Sequence, residues 1–153
     1  MKTIADYTFA PAAPGDAGAI AALLRAADLP DGDFAPHLAH FLVARDGGGA
    51  AIGAVGAEVC APDALLRSLV VAPAWRGAGV GGSLVRRLEE AAGAWGVGRW
   101  WLLTTTAEAF FRAQGFVEVP RAAAPPAIRG TEQFSGGCCG SAVCLTRERR
   151  NAT

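Results

Sequence analysis

The stretch from Leu65 to Ala92, LLRSLVVAPAWRGAGVGGSLVRRLEEAA, changes character halfway and constrains everything around it. Leu65 to Val71 is a short apolar run of the kind that forms a buried strand, and Pro73 stops it because proline has no backbone donor. From there on, Val80, Leu84, Val85, Leu88 and Ala91 recur at helical intervals, whereas Arg86, Arg87, Glu89 and Glu90 lie off that stripe. A strand, a glycine turn and a helix with one buried face are therefore expected. A helix entered through Gly77, Gly79, Gly81 and Gly82 exposes bare amide N–H groups, and its macrodipole adds positive charge. Such an end attracts phosphate.

Three phosphate-binding patterns compete for this turn. Gly77, Gly79 and Gly82 satisfy G-x-G-x-x-G, but no Asp or Glu stands near Arg99 to Leu103, where a dinucleotide fold holds its ribose. No Gly-Lys-Ser/Thr follows the glycines, which excludes a Walker loop. The third pattern begins at Arg76: Arg76-x-x-Gly79-x-Gly81, with Val71-x-Pro73 upstream, resembles the (Q/R)-x-x-G-x-(G/A) pyrophosphate loop of the GNAT acyl-CoA N-acetyltransferases. Further on, Ala107-x-x-x-Phe111-x-x-x-Gly115-Phe116 resembles that family's A-x-x-x-Y-x-x-x-G-F segment.

The resemblance implies acetyl-CoA as co-substrate and no metal. Its pyrophosphate would lie on the amides of Arg76, Gly77, Ala78, Gly79, Val80, Gly81, Gly82 and Ser83. Its pantetheine would run along a splayed strand edge at Leu69, Val70 and Val71, with Thr104, Thr106, Phe110 and Phe111 beside the acyl end. The reaction implied is direct attack of a substrate amine on the thioester, with a backbone N–H from Leu69 to Val71 receiving the oxyanion. Two departures from the family pattern stand out. Phe111 replaces the tyrosine that in many members protonates the leaving thiolate, and a ring without a hydroxyl cannot donate. The usual asparagine is missing as well, with Thr104 nearest its position and Thr104-Thr105-Thr106 offering three hydroxyls instead.

A narrower resemblance rests on Leu65 to Val71, Leu103 to Ala107 with Phe110-Phe111, Ile128 to Phe134, and Cys138-x-x-Ser141-Ala142. These segments are similar to the arsenic-resistance N-acetyltransferases, and the Leu-Thr-Thr run with Gly115-Phe116 is also similar to N-acetylglutamate synthase. Both imply a small amino acid or an amino-acid-like toxicant as acceptor. A non-catalytic acyl-CoA-binding or arsenite-binding module is the alternative.

Glu58 is the candidate general base, against an exposed strand carboxylate as the plain alternative. His37 and His40 have suitable ordinary pKa values but are weaker candidates. Arg67, flanked by apolar residues, either neutralises an internal carboxylate or receives the acid group of a substrate, with Thr105 beside it. Ser68 either assists or fills a small space. Cys138, Cys139 and Cys144 suggest soft-metal or arsenic binding, but they lack paired C-x-x-C spacing and read as ordinary thiols.

A chain of 153 residues, 52% hydrophobic and 18% charged, is expected to form one folded domain over residues 1–153. Its formal net charge of zero argues against nucleic acid as the main partner. With no apolar run long enough for a bilayer and Asp6 interrupting any leader, the expected location is the cytoplasm. Four cysteines are then expected as free thiols, and a homodimer stays open.

In chain order, Tyr7 to Ala12 reads as a strand, and Asp16 reads as the N-cap of a helix through Ile20, Leu23, Leu24 and Ala27. Pro36 to Ala39 reads as a short helix. Phe41 to Ala44, a turn at Asp46 to Gly49, and Ala51 to Cys60 form a hairpin. Trp100 to Leu103 is a strand, Ala107 to Ala113 a helix closed by Gly115, Phe116 to Val119 a strand, Arg121 to Pro126 a loop and Ser141 to Thr146 the last strand. The fold class is α/β (α+β): a mixed, mostly antiparallel sheet with a splayed central strand pair and helices on both faces.

Overall fold

The computed structural model describes residues 7–136 and 141–150. Its seven strands are β1 (Tyr7–Pro11), β2 (Phe41–Asp46), β3 (Ala51–Cys60), β4 (Asp63–Val71), β5 (Arg99–Thr104), β6 (Val117–Val119) and β7 (Val143–Glu148). They form one sheet in the order β1-β2-β3-β4-β5-β7-β6. Every neighbouring pair is antiparallel except β4 and β5. The hairpin between β2 and β3 closes as its sequence suggests, with the Asp46 carboxylate accepting from the amides of Gly48 and Ala50.

Strand alternation sorts the apolar residues onto two faces. Leu42 and Ala44 join the cluster under helix α2 (Val80–Ala92), together with Val80, Leu84, Val85 and Leu88. Phe41 and Val43 point the other way, to Ile20 and Leu24 of helix α1 (Ala17–Ala26). Beyond β4 the alternation continues: Trp100 and Leu102 face the α2 side with Phe111 of helix α3 (Glu108–Ala113), whereas Leu65 and Trp101 face Ile128 of helix α4 (Pro126–Arg129). Helices thus cover both faces. At Gly56 the hairpin needs a residue without a side chain, since a Cβ there would overlap the ring of Phe41.

Three local readings are corrected. Asp16 makes no side-chain cap bond to α1; its own backbone is already helical, so the carboxylate turns back to the Ala13 amide at 2.8 Å and to Arg45 at 2.5 Å. The last strand runs Val143–Glu148, two residues further along than expected. Between Pro126 and Ser141 the sequence predicts no element, yet α4 and a further helix α5 (Glu132–Ser135) stand there; each is a single turn, too short to show a period.

Candidate functional site

The parallel pairing of β4 and β5 is brief: Asp63 opposes Arg99, Ala64 opposes Trp100, and Leu65 opposes Trp101. Beyond that point β4 continues to Val71 and β5 to Thr104 without a ladder between them. The cause lies partly in a bulge of β4. Against β3, Gly56 pairs with Arg67 and Ala54 with Val70, so Ser68 and Leu69 together oppose Val55. Ser68 sits at φ 60°, a conformation uncommon for a residue with a side chain. The bulge bends β4 away from β5, and a cavity of about 190 Å³ opens in the gap.

Leu66, Arg67, Ser68 and Leu69 form one wall of this cavity, and Leu102, Leu103, Thr104, Thr105 and Thr106 form the other. Asp28 to Pro30 border it from the loop after α1, and Ala107, Phe111, Gln133 and Ala142 complete the lining. The strand pair therefore brings together the residues singled out at its two ends. Thr104 is partly committed, since its hydroxyl accepts from the Ala107 amide at 2.9 Å and so fixes the entry to α3. Thr105 and Thr106 are exposed. Phe111 is buried, edge-on to Phe110 at 5.1 Å and to Phe116 at 5.4 Å.

The glycine turn lies past the end of β4. Gly77 and Gly79 have φ of 84° and 85°, which explains glycine at both positions, and a Cβ at either would meet nothing within 4 Å. That open space lies directly before the first amides of α2, which have no acceptor inside the helix. Arg76 Nε donates to the Val71 carbonyl at 3.2 Å, fastening the turn to the strand. Phe110 lies near Gly81 on the α3 side of the turn, while Ser83 is buried one turn into the helix.

Arg67 is held by the protein's own acids. Its Nη1 donates to Glu58 at 2.6 Å and to Asp33 at 3.1 Å, its Nη2 to Asp33 at 2.5 Å, and its Nε to the Ser68 hydroxyl at 3.0 Å. The side chain has 0% exposure. Burial acts to lower its pKa, but the hydrogen bonds to Asp33 and Glu58 outweigh that and leave it raised. Asp33 is held below its ordinary value, first by its hydrogen bonds from Arg67.

Glu58 is buried, which removes the alternative of an exposed strand carboxylate, and its second oxygen meets His37 Nε2 at 3.3 Å. His40 stacks near Trp95 instead, with its pKa lowered by burial and then by the charge of His37. Asp33 was the site residue missed in the sequence. Its only signal was an acidic, turn-rich stretch next to a strand containing an arginine in need of a partner. Cys60 and Cys144 are free thiols with raised pKa values, chiefly from burial, and Cys138 and Cys139 lie outside the described residues. Among the described residues no cluster of potential metal ligands occurs, and no helix is long and apolar enough to cross a membrane.

A family model described as an acetyltransferase (GNAT) domain matches residues 37–118. No curated protein matches the chain in sequence. Among solved structures it is similar to N-acetylglutamate synthase from Neisseria gonorrhoeae complexed with coenzyme A and N-acetyl-glutamate, at TM-score 0.83 and 22% identity over 95% of this chain. It spans only 35% of that synthase. It is also similar to a GNAT-family acetyltransferase from Staphylococcus aureus (TM-score 0.77, 14% identity, 94% of this chain and 99% of that one). A Mycobacterium tuberculosis protein in complex with CoA gives TM-score 0.76 and 20% identity over 92% of this chain and 98% of that one.

Proposed function

Since the chain belongs to the GNAT acetyltransferase family, we propose that it transfers acetyl from acetyl-CoA to the amine of a small molecule, by direct attack within a ternary complex. The observation that carries this reading is the unpaired stretch of β4 and β5, with the cavity between them and the glycine turn at its end. Acetyl-CoA supplies an activated thioester; what the chain contributes is its placement. The amides of the turn from Gly77 to Gly79 and of the first α2 residues, Val80 to Gly82, receive the diphosphate, and the β4 edge from Leu69 to Val71 offers backbone groups to the pantetheine amides. Coenzyme A in two of the similar structures supports the same ligand here.

Chemically, the amine nitrogen bonds the acetyl carbon, the carbon–sulfur bond breaks, the amine gives up a proton and the thiolate gains one. A backbone N–H of the bulged β4 is the donor proposed for the oxyanion. Glu58 does not line the cavity, and its oxygens are taken by Arg67 and His37, so a proton reaches it only through His37 or water. The thiolate finds no phenol at Phe111; the hydroxyls of Thr105 and Thr106, or water, are the available donors.

Amino-acid acceptors, including arsenic-containing ones, are proposed on the motif resemblance, and N-acetyl-glutamate in the similar synthase supports including them in any test. Because Phe111 lacks a hydroxyl and Glu58 is engaged, a non-catalytic acyl-CoA-binding module is the second reading. A thermal-shift comparison of acetyl-CoA with NAD, followed by thiol release over an amine panel, separates the two. Stabilisation by acetyl-CoA alone and turnover of one or more amines are expected. Absence of any acetyl-CoA shift would sink the proposal, and binding without turnover would leave the non-catalytic module. Gly79→Ala, forced into a left-handed conformation that costs about 1–3 kcal/mol, should weaken acetyl-CoA binding about tenfold.

A further inference from the structure

Helix α1 ends in a tight closure: the Leu29 amide donates to the Leu24 carbonyl at 2.9 Å and the Asp28 amide to the Arg25 carbonyl at 3.1 Å. This pairing places Asp28 in the left-handed position, at φ 58°, where helices overwhelmingly use glycine or asparagine. Aspartate tolerates that backbone, but its charge also sits at the negative end of the helix dipole. Asparagine would meet the geometric need without the electrostatic cost. The cation in the last turn does not compensate, because Arg25 pairs with Asp31 at 2.9 Å. The residue at position 28 is thus poorly chosen for the fold, and it borders the cavity.

The rest of the lining says what such a charge would meet. Among the described residues around the cavity, Asp28 and Arg67 are the charged ones. Arg67 offers nothing to a ligand carboxylate: its fork is filled by Asp33 and Glu58, its Nε by Ser68, and none of its side chain is exposed. Two carboxylates, Asp33 and Glu58, share that guanidinium, with His37 on the second oxygen of Glu58, so the cluster behind the wall has no spare cation. A carboxylate-bearing acceptor would enter this cavity past Asp28 without a cation to receive it.

We infer that Asp28 is a specificity residue and that the acceptor is a small cationic amine without a carboxylate, such as a diamine or a decarboxylated amino acid. This inference rests on the transferase reading, names the acceptor class for the same cavity, and replaces the amino-acid acceptors that the motif resemblance suggests. The test uses matched pairs with acetyl-CoA: agmatine against arginine, 1,5-diaminopentane against lysine, tyramine against tyrosine. It runs on the full chain and on Asp28→Asn, Asp28→Gly and Asp31→Asn.

In the native protein the decarboxylated member of each pair should be used with at least about tenfold higher kcat/KM, the worth of one charged hydrogen bond. Asp28→Asn and Asp28→Gly should raise the KM for these amines about tenfold with kcat nearly unchanged, yet melt a few degrees higher than the native chain. Asp31→Asn, away from the cavity, should leave the preference intact. Higher kcat/KM for the parent amino acids, or an unchanged KM in both Asp28 variants, overturns the acceptor class while leaving the transferase reading standing. Turnover of no member of any pair, by protein that binds acetyl-CoA, removes both.

Discussion

Two buried guanidinium groups stand in this sheet, one on the central strand β4 and one on β7 near an edge, and they are built differently. Arg147 on β7, 9% exposed, donates to Glu89 of α2 and to the Gln114 carbonyl, and lies 4.5 Å over the ring of Phe116. Its acid has other donors, since Glu89 also accepts from Trp100 Nε1 at 3.3 Å and the Arg150 amide at 2.9 Å. Arg67, at 0% exposure, faces two carboxylates, one from the neighbouring strand β3 and one from the loop that follows α1. The first cluster ties helix to sheet in a well-covered corner. The second holds a loop against the wall of a cavity, and the Arg67 fork is fully engaged only while that loop is in place. Buried ion pairs are weak evidence for stability by themselves, but removing one partner from a cluster is costly.

That difference is sharpened most by deleting the cations. Arg67→Leu leaves Asp33 and Glu58 close together without a counter-charge, and a loss of about 3–5 kcal/mol is expected. Arg147→Leu leaves Glu89 with two N–H donors, so its cost should be nearer to about 2–3 kcal/mol. Urea midpoints of the two variants measure the gap. Were Arg147→Leu the more damaging, the distinction between two acids sharing one cation and an acid with other donors would be wrong.

A smaller effect separates the clusters by pH. Asp33 has its pKa depressed from 3.8, first by the Arg67 hydrogen bonds against the opposing effect of burial. A depressed acid stabilises the folded state above its unfolded pKa, and that contribution is lost as pH falls through the folded value. The melting temperature should therefore drop on acidification below about pH 4, and Asp33→Asn should flatten part of that fall. Only part is affected, because Asp16 is depressed as well, first by the Ala13 amide and then by Arg45. An unchanged acid limb in Asp33→Asn would show that the loop's grip on Arg67 contributes nothing at equilibrium.

How much of this was legible in the sequence follows from the range of each interaction. The glycine turn, the hairpin at Asp46 and the strand pair around the cavity are local patterns and stand where turn chemistry and apolar runs put them. The stripe of α2 is shifted: Glu89, expected off it, is buried, and Ala92 is buried where Ala91 was expected. Arg67 was legible as a charge in an apolar strand, because a buried charge demands a partner. Its partners were not: Asp33 lies 34 residues away, and nothing within its own stretch distinguishes it from Asp28 or Asp31. The burial of Glu58 leaves no mark in the sequence, because β3 is covered on both faces and period-two alternation no longer separates inside from outside. The left-handed backbone at Ser68 left no mark either, since the bulge is set by pairing with β3 and not by the serine itself.

Ser68 gives the finest test of the comparison, because two opposing terms of similar size meet at one residue. Replacing it by glycine relieves the left-handed backbone, a gain of about 1 kcal/mol. The same change removes the hydroxyl that accepts from Arg67 Nε and leaves a buried charged donor without a partner, a loss of about 1–3 kcal/mol. The loss outweighs the gain, so Ser68→Gly should destabilise by about 1 kcal/mol despite the better backbone. Asparagine tolerates the left-handed conformation and keeps an acceptor, so Ser68→Asn should stay within about 0.5 kcal/mol of the native protein. Both are read from urea midpoints. If glycine instead stabilises, the bulge is strained independently of Arg67, and the two features of the cavity wall are not coupled.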